Sequence, residues 1–370
     1  MARIRVLVVD DSVVIRKLVS DLLAEDPDIE VVGTAVNGRA GLQKIALLKP
    51  DLVTMDVEMP ELNGIETVRS LRASGSRIPV IMFSTLTERG AEATLDALAA
   101  GASDYVPKPA NVGSVGRSME QVREALIPRI KSLVPRPGNV SAPGLAPVAR
   151  PEPVVLRTPA NRPHGGHRLL VIGASTGGPE ALSSLLAALP PLPVPIAVVQ
   201  HMPPLFTTQF AARLNRQLSV EVTEAAHGQV LRPGTVCIAP GEYHLEVVSD
   251  GRGLVTRLTQ DPPENYCRPA VDVLFRSAAA AVGGSVLGVV LTGMGADGAK
   301  GSRNIVDRGG AVVVQDQHSS VVWGMPGAVA NAGLAERVLP LSELPAEISR
   351  RLVHPHGGPA PTHAVAGGAR

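Results

Sequence analysis

The sequence is poor in aromatic residues, in cysteine and in long apolar runs. Phe, Trp and Tyr make up 2% of its 370 residues, so its cores have to be built from Val, Leu, Ile and Ala. The only cysteines, Cys237 and Cys267, have no spacing typical of a metal site and argue against a disulfide framework. No apolar stretch approaches the length of a membrane span, and the N-terminus lacks the apolar segment of a signal peptide. We therefore expect a soluble protein of the reducing cytoplasm.

An excess of charge of either sign is also absent. The net charge is +1, whereas nucleic-acid-binding domains are usually strongly basic. No helix-turn-helix pattern or basic recognition segment is visible either, which argues against a DNA-binding regulator. The composition is otherwise that of a globular protein, with 45% hydrophobic and 19% charged residues, and the length predicts two domains.

The first third of the chain alternates short, β-branched apolar runs with longer helix-like segments. Strand-like runs cover residues 4–9, 29–36, 52–55, 78–83 and 104–106. Helix-like segments cover residues 12–25, 38–48, 64–73 and 91–100. Near-continuous apolar strands that alternate with helices predict a parallel sheet covered on both faces. We therefore assign residues 1–131 to a doubly wound α/β domain.

Residues 132–166 have a different texture and separate two domains. Prolines recur there among Ala, Val and Arg, which excludes a regular helix or a central strand. We predict an extended linker, and favour a solvated tether over docking of its arginines on an acidic surface. The length of the linker leaves open how closely the two domains contact each other. Residues 354–370 form a Gly/Pro/His-rich tail that we expect to be disordered, with no regular metal-ligand spacing.

The α/β rhythm returns in residues 167–353, which we assign to a second domain. Strand-like runs cover residues 168–172, 196–199, 285–291 and 311–314, and helix-like segments cover 179–189 and 299–306. Residues 235–258 differ, because short alternating runs are separated by Pro-Gly and Asp-Gly turns, which predicts antiparallel hairpins. The predicted fold class is α/β throughout, with two doubly wound, mainly parallel sheets, the second Rossmann-like with an antiparallel hairpin region.

Three acidic residues follow strands of the first domain. Asp10 and Asp11 come after the first strand, and Asp56 comes after the third. Because ligands of a doubly wound sheet gather at the carboxyl ends of its strands, we expect the three carboxylates to converge. Unpaired carboxylates repel one another, which predicts a hard divalent cation such as Mg²⁺ between them. A carboxylate beside that cation can accept a phosphoryl group.

Two further polar residues end strands at the same edge of the sheet. Ser84 ends the fourth strand and Lys108 follows the fifth, where a hydroxyl and an ammonium group can hold phosphoryl oxygens. Each acid taken alone is compatible with a helix N-cap. Five polar residues at the ends of four strands favour the phosphoryl site.

Three motifs resemble the receiver domain of two-component response regulators: Val8-Val9-Asp10-Asp11-Ser12, Met55-Asp56-Val57-Glu58-Met59-Pro60 and Lys108-Pro109. The resemblance covers the whole first domain and implies a flavodoxin-like fold that a histidine kinase phosphorylates. It implies Asp56 as the phosphoacceptor, with Mg²⁺ bound by Asp10, Asp11 and Asp56. It also implies three switch residues, the last an aromatic that changes rotamer: Ser84, Lys108 and Tyr105.

The second domain contains a glycine-rich strand-to-helix turn around Gly173-Ala174-Ser175-Thr176-Gly177-Gly178. Such a turn can cradle the pyrophosphate of a dinucleotide, but that motif needs G-x-G-x-x-G spacing and an acid after the next strand. Here the spacing fails, and the next strand ends in Gln200-His201. The alternative is a tight turn that presents Ser175 as a nucleophile, and we favour it.

A serine nucleophile needs a general base that is itself oriented by a carboxylate. His201 follows the next strand, and Asp297 follows a later one in a run rich in glycine. Taken alone, His201 is compatible with a structural role and Asp297 with a helix N-cap. Three such residues at the carboxyl ends of separate strands favour a Ser-His-Asp triad. Its order along the chain differs from the Ser, Asp, His order of α/β-hydrolases.

Four segments resemble the catalytic domain of the chemotaxis protein-glutamate methylesterases: Gly173-Ala174-Ser175-Thr176-Gly177-Gly178, Gln200-His201-Met202, Arg268-Pro269-Ala270-Val271-Asp272-Val273-Leu274-Phe275 and Thr292-Gly293-Met294-Gly295-Ala296-Asp297-Gly298. The resemblance implies Ser175 as nucleophile, His201 as base and Asp297 as the orienting carboxylate, with no cofactor at the hydrolase site. Backbone donors near Thr176 and Met294 would stabilise the oxyanion, an effect of about 3 kcal/mol per donor.

The two resemblances together imply a phosphorylation-activated hydrolase that serves sensory adaptation. Its substrates would be glutamate γ-methyl esters, and selected glutamines, on the cytoplasmic helices of methyl-accepting chemoreceptors. Nucleic acid and membrane insertion are not expected. The rival from another class is a non-catalytic adaptor whose binding is regulated by phosphorylation. An adaptor has no need to keep Ser175, His201 and Asp297 together, so we favour the enzyme.

Overall fold

The computed structural model describes residues 3–108, 115–134, 156–158 and 166–353. The predicted disordered tail lies outside the described residues, as does most of the predicted linker. Among the residues described, no helix has both the length and the apolar character needed to cross a membrane.

Residues 4–133 form a five-stranded parallel sheet with helices on both faces, as predicted. The strand order is β2-β1-β3-β4-β5. The strands are β1 (Ile4–Val9), β2 (Ile29–Ala35), β3 (Leu52–Asp56), β4 (Val80–Ser84) and β5 (Asp104–Pro107). The helices are α1 (Val13–Ala24), α2 (Gly38–Leu48), α3 (Gly64–Ala73), α4 (Glu88–Ala99) and α5 (Val115–Leu133). All residues of β3 and β4 are buried because helices cover both faces of the sheet.

Residues 169–353 form a second α/β unit around a seven-stranded parallel sheet of order β14-β13-β12-β6-β7-β9-β8. The sheet strands are β6 (Leu169–Ala174), β7 (Ile196–Gln200), β8 (Glu221–Glu224), β9 (Thr235–Ile238), β12 (Val286–Val290), β13 (Ala311–Gln315) and β14 (Arg337–Leu339), and a separate hairpin joins β10 (His244–Asp250) to β11 (Gly253–Thr259). The helices are α6 (Gly178–Ala188), α7 (Pro204–Gln217), α8 (Val271–Val282), α9 (Ala299–Asp307), α10 (Gly324–Asn331) and α11 (Leu344–Leu352). The winding direction reverses at β6, and the resulting crevice at the carboxyl ends of the strands is the usual ligand site of such sheets.

Two local predictions were wrong. Residues 235–238 do not belong to a hairpin, because β9 pairs in parallel with both β7 and β8. Only β10 and β11 are antiparallel. A four-residue apolar run carries no local signal of its partner, and β7 lies about 40 residues earlier in the chain. Helix α4 begins three residues before the predicted start, because the Thr87 side chain accepts a hydrogen bond from Gly90 N and caps it.

The two α/β units contact each other through α4 and β5 of the first and α6 and α7 of the second. The ring of Tyr105 on β5 stacks on Phe206 of α7, with 4.5 Å between ring centroids and 18° between planes. Asp96 on α4 forms an ion pair with Arg213 of α7 at 2.5 Å. The contact is therefore both apolar and charged, and it lies next to the carboxyl edge of the second sheet.

Candidate active site

Ser175 directly follows β6, at the edge where the winding of the second sheet reverses. Its N–H donates to Thr292 O at 3.0 Å, which ties the turn to the segment after β12. Gly177 has φ +75, and a Cβ at Gly173 would lie 2.4 Å from a methyl carbon of Val271. Both positions require glycine, one for a left-handed backbone and one for close packing. The turn thus holds the Ser175 hydroxyl at the open end of the sheet.

His201 lies next to Ser175 because β6 and β7 pair in register, with Ala174 opposite Gln200. The Nε2 atom of His201 is 2.8 Å from Oδ2 of Asp297. No hydrogen bond joins Ser175 to His201 in the part of the chain that is described. The structure therefore places the three predicted triad residues at one edge, with the His-Asp pair formed and the serine contact still to be made.

Asp297 accepts hydrogen bonds from more donors than His201 alone. The backbone N–H groups of Val271 and Asp272, at the N-terminus of α8, donate to it at 2.7 and 2.9 Å. Gly298 N donates to Oδ1 at 2.9 Å. Burial acts to raise the pKa of Asp297, but His201 and these N–H groups lower it below its ordinary value. Asp297 is thus a buried carboxylate held ionised and immobile, as the orienting member of a triad requires.

The imidazole of His201 favours its protonated form. Burial acts to lower its pKa, but the hydrogen bonds and charges of Asp297 and Cys267 raise the pKa of His201 to about 10. Because Nε2 is bound to Asp297, Nδ1 is the nitrogen left to act as the base. In this structure Nδ1 lies 3.6 Å from Sγ of Cys267. A thiol thus lies against the ring nitrogen of His201 that does not face Asp297.

The backbone N–H groups of Thr176 and Met294 make no hydrogen bond among the described residues. Thr176 follows Ser175 directly, and Met294 follows Gly293, where a Cβ would lie 2.8 Å from Cβ of Ser175. Free N–H donors on both sides of a nucleophile are the elements of an oxyanion hole. Their assignment to this role stays a prediction.

The carboxylates of Asp10, Asp11 and Asp56 converge as expected, with ligand oxygens within 4.8 Å of one another. Asp10 and Asp56 are buried, and Lys108 Nζ lies 2.9 Å from the first and 2.6 Å from the second. Burial and the charge of Asp10 raise the pKa of Asp56 to about 6, against the lowering effect of Lys108. Three oxygen donors of this kind fit a hard cation such as Mg²⁺.

The other predicted switch residues lie around this cluster. Ser84 ends β4, and its hydroxyl donates to Gly90 O in the first turn of α4 at 3.0 Å. Tyr105 is buried in β5 against Phe206 of the second unit. The surroundings of the acidic cluster and the contact between the units therefore share α4 and β5.

Comparison with known proteins finds a matching family for each of the two α/β units. The family described as "CheB methylesterase" matches residues 170–348, and "Response regulator receiver domain" matches residues 6–117. The chain belongs to the CheB methylesterase family.

Relatives extend this similarity over nearly the whole chain. A protein-glutamate methylesterase/protein-glutamine glutaminase of Nocardioides is 74% identical over 99% of this chain and 100% of its own length. One of Trichodesmium erythraeum is 49% identical over 95% of this chain and 100% of its own length. The crystal structure of the CheB methylesterase catalytic domain of Thermotoga maritima is 40% identical over 49% of this chain and 97% of that domain, with a TM-score of 0.48. The prediction of a hydrolase with a receiver domain is confirmed.

In this CheB-family chain the structure adds Asn265, a site residue that the sequence did not reveal. Its side-chain Nδ2 donates to Oδ1 of Asp297 at 2.8 Å and to Oδ2 of Asp272 at 2.9 Å. Asp272 is buried, and burial is the main cause that raises its pKa. One amide thus bridges two buried carboxylates. The only sequence signal was its position just before the Arg268–Phe275 motif, whose role in starting α8 also emerged only from the fold.

Replacing Asn265 with glycine is expected to lower kcat/KM by about tenfold or more, since a hydrogen bond to a charged group contributes about 1.5–3 kcal/mol. Glycine is the matched choice because Asn265 has φ +53, which glycine adopts without strain. Without the amide, the pKa of Asp297 should rise, and the more basic carboxylate should hold the proton of His201 more tightly. The rising limb of the pH–rate profile should therefore move to higher pH. An unchanged rate and profile would show that Asn265 has no role in positioning Asp297.

Proposed function

We propose that this enzyme hydrolyses glutamate γ-methyl esters on the cytoplasmic helices of methyl-accepting chemoreceptors and deamidates selected glutamines there, within the cytoplasm. The observation that carries the proposal is the convergence of Ser175 with the His201–Asp297 pair at the reversal point of the second sheet. The names of the relatives supply the substrate class. Partners are the receptor and a histidine kinase that serves as phosphodonor.

The reaction follows from the atoms at this edge. Nδ1 of His201 takes the proton of Ser175 once Cys267 has moved aside, and Oγ attacks the ester carbonyl. The backbone N–H groups of Thr176 and Met294 stabilise the oxyanion of the tetrahedral intermediate. His201 returns the proton to the methoxide oxygen, which leaves as methanol, or to the amide nitrogen of a glutamine, which leaves as ammonia. Water then hydrolyses the acyl-enzyme by the same proton transfers in reverse order, and the hydrolase site needs no cofactor.

Control by phosphorylation is supported by the contact between receiver and catalytic unit. The hydroxyl of Thr176, the residue after the nucleophile, donates to Asp104 Oδ2 of the receiver at 2.6 Å. Asp104 is followed by Tyr105, whose ring stacks on the catalytic unit. With the receiver in this position, a neighbour of Ser175 is engaged and a large substrate is kept from it. Release of the receiver would therefore activate the enzyme.

A path from the phosphoacceptor to this contact runs along α4. Asp10, Asp11 and Asp56 would hold Mg²⁺, which neutralises phosphoryl charge when it is bound. The Ser84 hydroxyl would leave Gly90 O to contact a phosphoryl oxygen. This change would alter the first turn of α4. The same helix carries Glu92 and Asp96, which form ion pairs with Arg216 and Arg213. Phosphorylation of Asp56 would thereby weaken the contact between the units.

The variant Asp56→Asn is expected to keep the basal rate of methanol release but to lose stimulation by a small acyl phosphate donor. The physical reason is that an amide cannot accept the phosphoryl group, while the hydrolase site is untouched. The assay is methanol release from a methylated chemoreceptor with and without the donor. Asp21→Asn, at an exposed site on α1, is the control and should remain stimulated. Equal stimulation of Asp56→Asn and the unaltered protein would refute receiver control.

The reactivity of the Ser175 hydroxyl distinguishes the proposed enzyme from a non-catalytic adaptor. An active hydrolase should be labelled at Ser175 by a serine-directed acylating or phosphonylating probe, since His201 and Asp297 activate the hydroxyl. Absence of labelling in the phosphodonor-treated protein, together with binding of the receptor, would favour the adaptor.

A further inference from the structure

A tight turn at residues 264–267 lies beside His201 and Asp297 of the candidate active site. Glu264 and Cys267 exchange two backbone hydrogen bonds of 3.1 and 2.9 Å. The two residues between them, Asn265 and Tyr266, have φ values of +53 and +62. This is the backbone of a type I′ turn, which favours Asn at the first central position and Gly at the second. Tyrosine at the second position is unfavourable, and such strain is found mainly where the surroundings and function demand it.

Three of the four side chains of this turn bind the catalytic unit. The carboxylate of Glu264 pairs with both terminal nitrogens of Arg276 on α8 at 3.1 and 2.9 Å. Asn265 bridges the carboxylates of Asp297 and Asp272. Cys267 contacts His201 Nδ1. The turn is therefore held in a fixed position relative to the base and its carboxylate.

Tyr266 is the exception, because it is fully exposed to solvent. The chain has only three tyrosines, and Tyr105 is buried. A single exposed apolar side chain needs no explanation by itself. Here, however, the ring is carried on a strained, firmly anchored turn and lies one residue from a contact with the catalytic base. A large amphipathic ring on a rigid support is what protein-binding surfaces use, because little entropy is lost when it is covered.

We propose that Tyr266 is a specificity-determining residue that contacts the polypeptide carrying the esterified glutamate, an inference that rests on the proposed function. The ring lies outside the triad, so a substrate reaches it only if chain extends beyond the reacting side chain. A small ester that fills the site at Ser175 gains nothing from the ring. The receiver covers Thr176 but leaves Tyr266 exposed. The ring is therefore accessible with or without phosphorylation, whereas Ser175 itself becomes accessible to a large substrate only once the receiver is released.

The test compares a protein substrate with a small one. In Tyr266→Gly, kcat/KM for the methylated cytoplasmic domain of a chemoreceptor should fall about tenfold or more, mainly through a higher KM, as loss of an interface tyrosine does. Hydrolysis of p-nitrophenyl acetate should be unchanged. Glycine after Asn265 is the pair that a type I′ turn prefers, so the substitution should not unfold the turn. Tyr266→Phe should retain most activity on the protein, and Leu47→Ala, which removes an exposed leucine from α2, should behave like the unaltered chain.

Each outcome decides the inference. Selective loss on the protein substrate, equal in size with and without acyl phosphate, supports it. An unchanged KM for the protein overturns it, and so does an equal loss on both substrates, which would mean that the turn acts only on the triad. If the proposed function is wrong, Ser175→Ala will release as much methanol as the unaltered enzyme. If only the inference about Tyr266 is wrong, methanol release will still depend on Ser175.

Discussion

Replacing Ser175 with alanine is expected to reduce methanol release from a methylated chemoreceptor by about 10⁶-fold, the size of effect that loss of a triad serine produces. No other side chain at the end of β6 offers an oxygen nucleophile aimed at the same site, since the hydroxyl of Thr176 is bound to Asp104. The Ser175 hydroxyl makes no hydrogen bond within the described residues, so its removal should leave the fold intact. The measurement is methanol release by the phosphodonor-treated protein.

The matched control for this variant is Ser184→Ala, which removes an exposed serine hydroxyl from α6. It should retain full activity. The midpoint of thermal unfolding should be the same in Ser175→Ala and the unaltered chain. Methanol release that survives in Ser175→Ala would exclude Ser175 as the nucleophile, whatever the geometry around it.

The variant Asp297→Asn is expected to lower kcat by about 10⁴-fold near neutral pH, as the loss of a triad carboxylate does elsewhere. Asp297 binds Nε2–H of His201, so Nδ1 is the nitrogen that takes the serine proton in the proposed mechanism. An amide at this position can present an N–H to His201 instead, which favours the wrong tautomer. The pairing with Val271 N would be lost as well, so the thermal midpoint of this variant should also fall.

The replacement of Asp297 should also change how the rate of the enzyme depends on pH. Only neutral His201 can accept a proton, and its pKa is raised to about 10, so the rate of the unaltered enzyme should rise with pH toward that value. Without the carboxylate, the effect of burial is no longer offset by the charge of Asp297, and the pKa of His201 falls. The rising limb of Asp297→Asn should therefore lie at lower pH. Asp250→Asn, in the exposed turn of the β10–β11 hairpin, is the control, and an identical limb in Asp297→Asn would contradict the role of Asp297.

Two contacts of the catalytic unit lie beside the proposed nucleophile and base. Thr176 is engaged by Asp104 beside the nucleophile, and Cys267 occupies Nδ1 of His201. The proposed mechanism requires both contacts to be released before the site can act. Only the first contact involves the receiver, so phosphorylation of Asp56 would act on the first and not directly on the second.

Much of the site was predictable because parallel α/β sheets place chemistry at the ends of strands. Asp56, Ser175 and His201 each follow a strand whose apolar run is visible in the sequence. The carboxyl ends of parallel strands share one edge, so these residues could be grouped without coordinates. The glycines around Ser175 were equally informative, since Gly177 has the positive φ that a tight turn requires.

Local sequence did not reveal what lies between these strand ends. The donors that hold Asp297 come from the N-terminus of α8 and from Asn265, which precede it by 25 to 32 residues. The parallel pairing of β9, which was predicted as a hairpin, depends on a partner equally far away. Such contacts depend on how whole helices and strands pack, and a short motif does not indicate which distant residues it will contact.

The sequence by itself determined that this chain has an acidic cluster around Asp56 at strand ends and a serine on a strand-to-helix turn, and it predicted their roles as phosphoacceptor and nucleophile, because both depend on residue type and strand position. Only the tertiary structure decided how the two are connected. Tyr105 stacks on Phe206, and Asp104 binds Thr176, although each pair is separated by more than 70 residues. The tertiary structure also decided that a strained turn holds Tyr266 in solvent beside the base, since exposure is a property of the packed molecule.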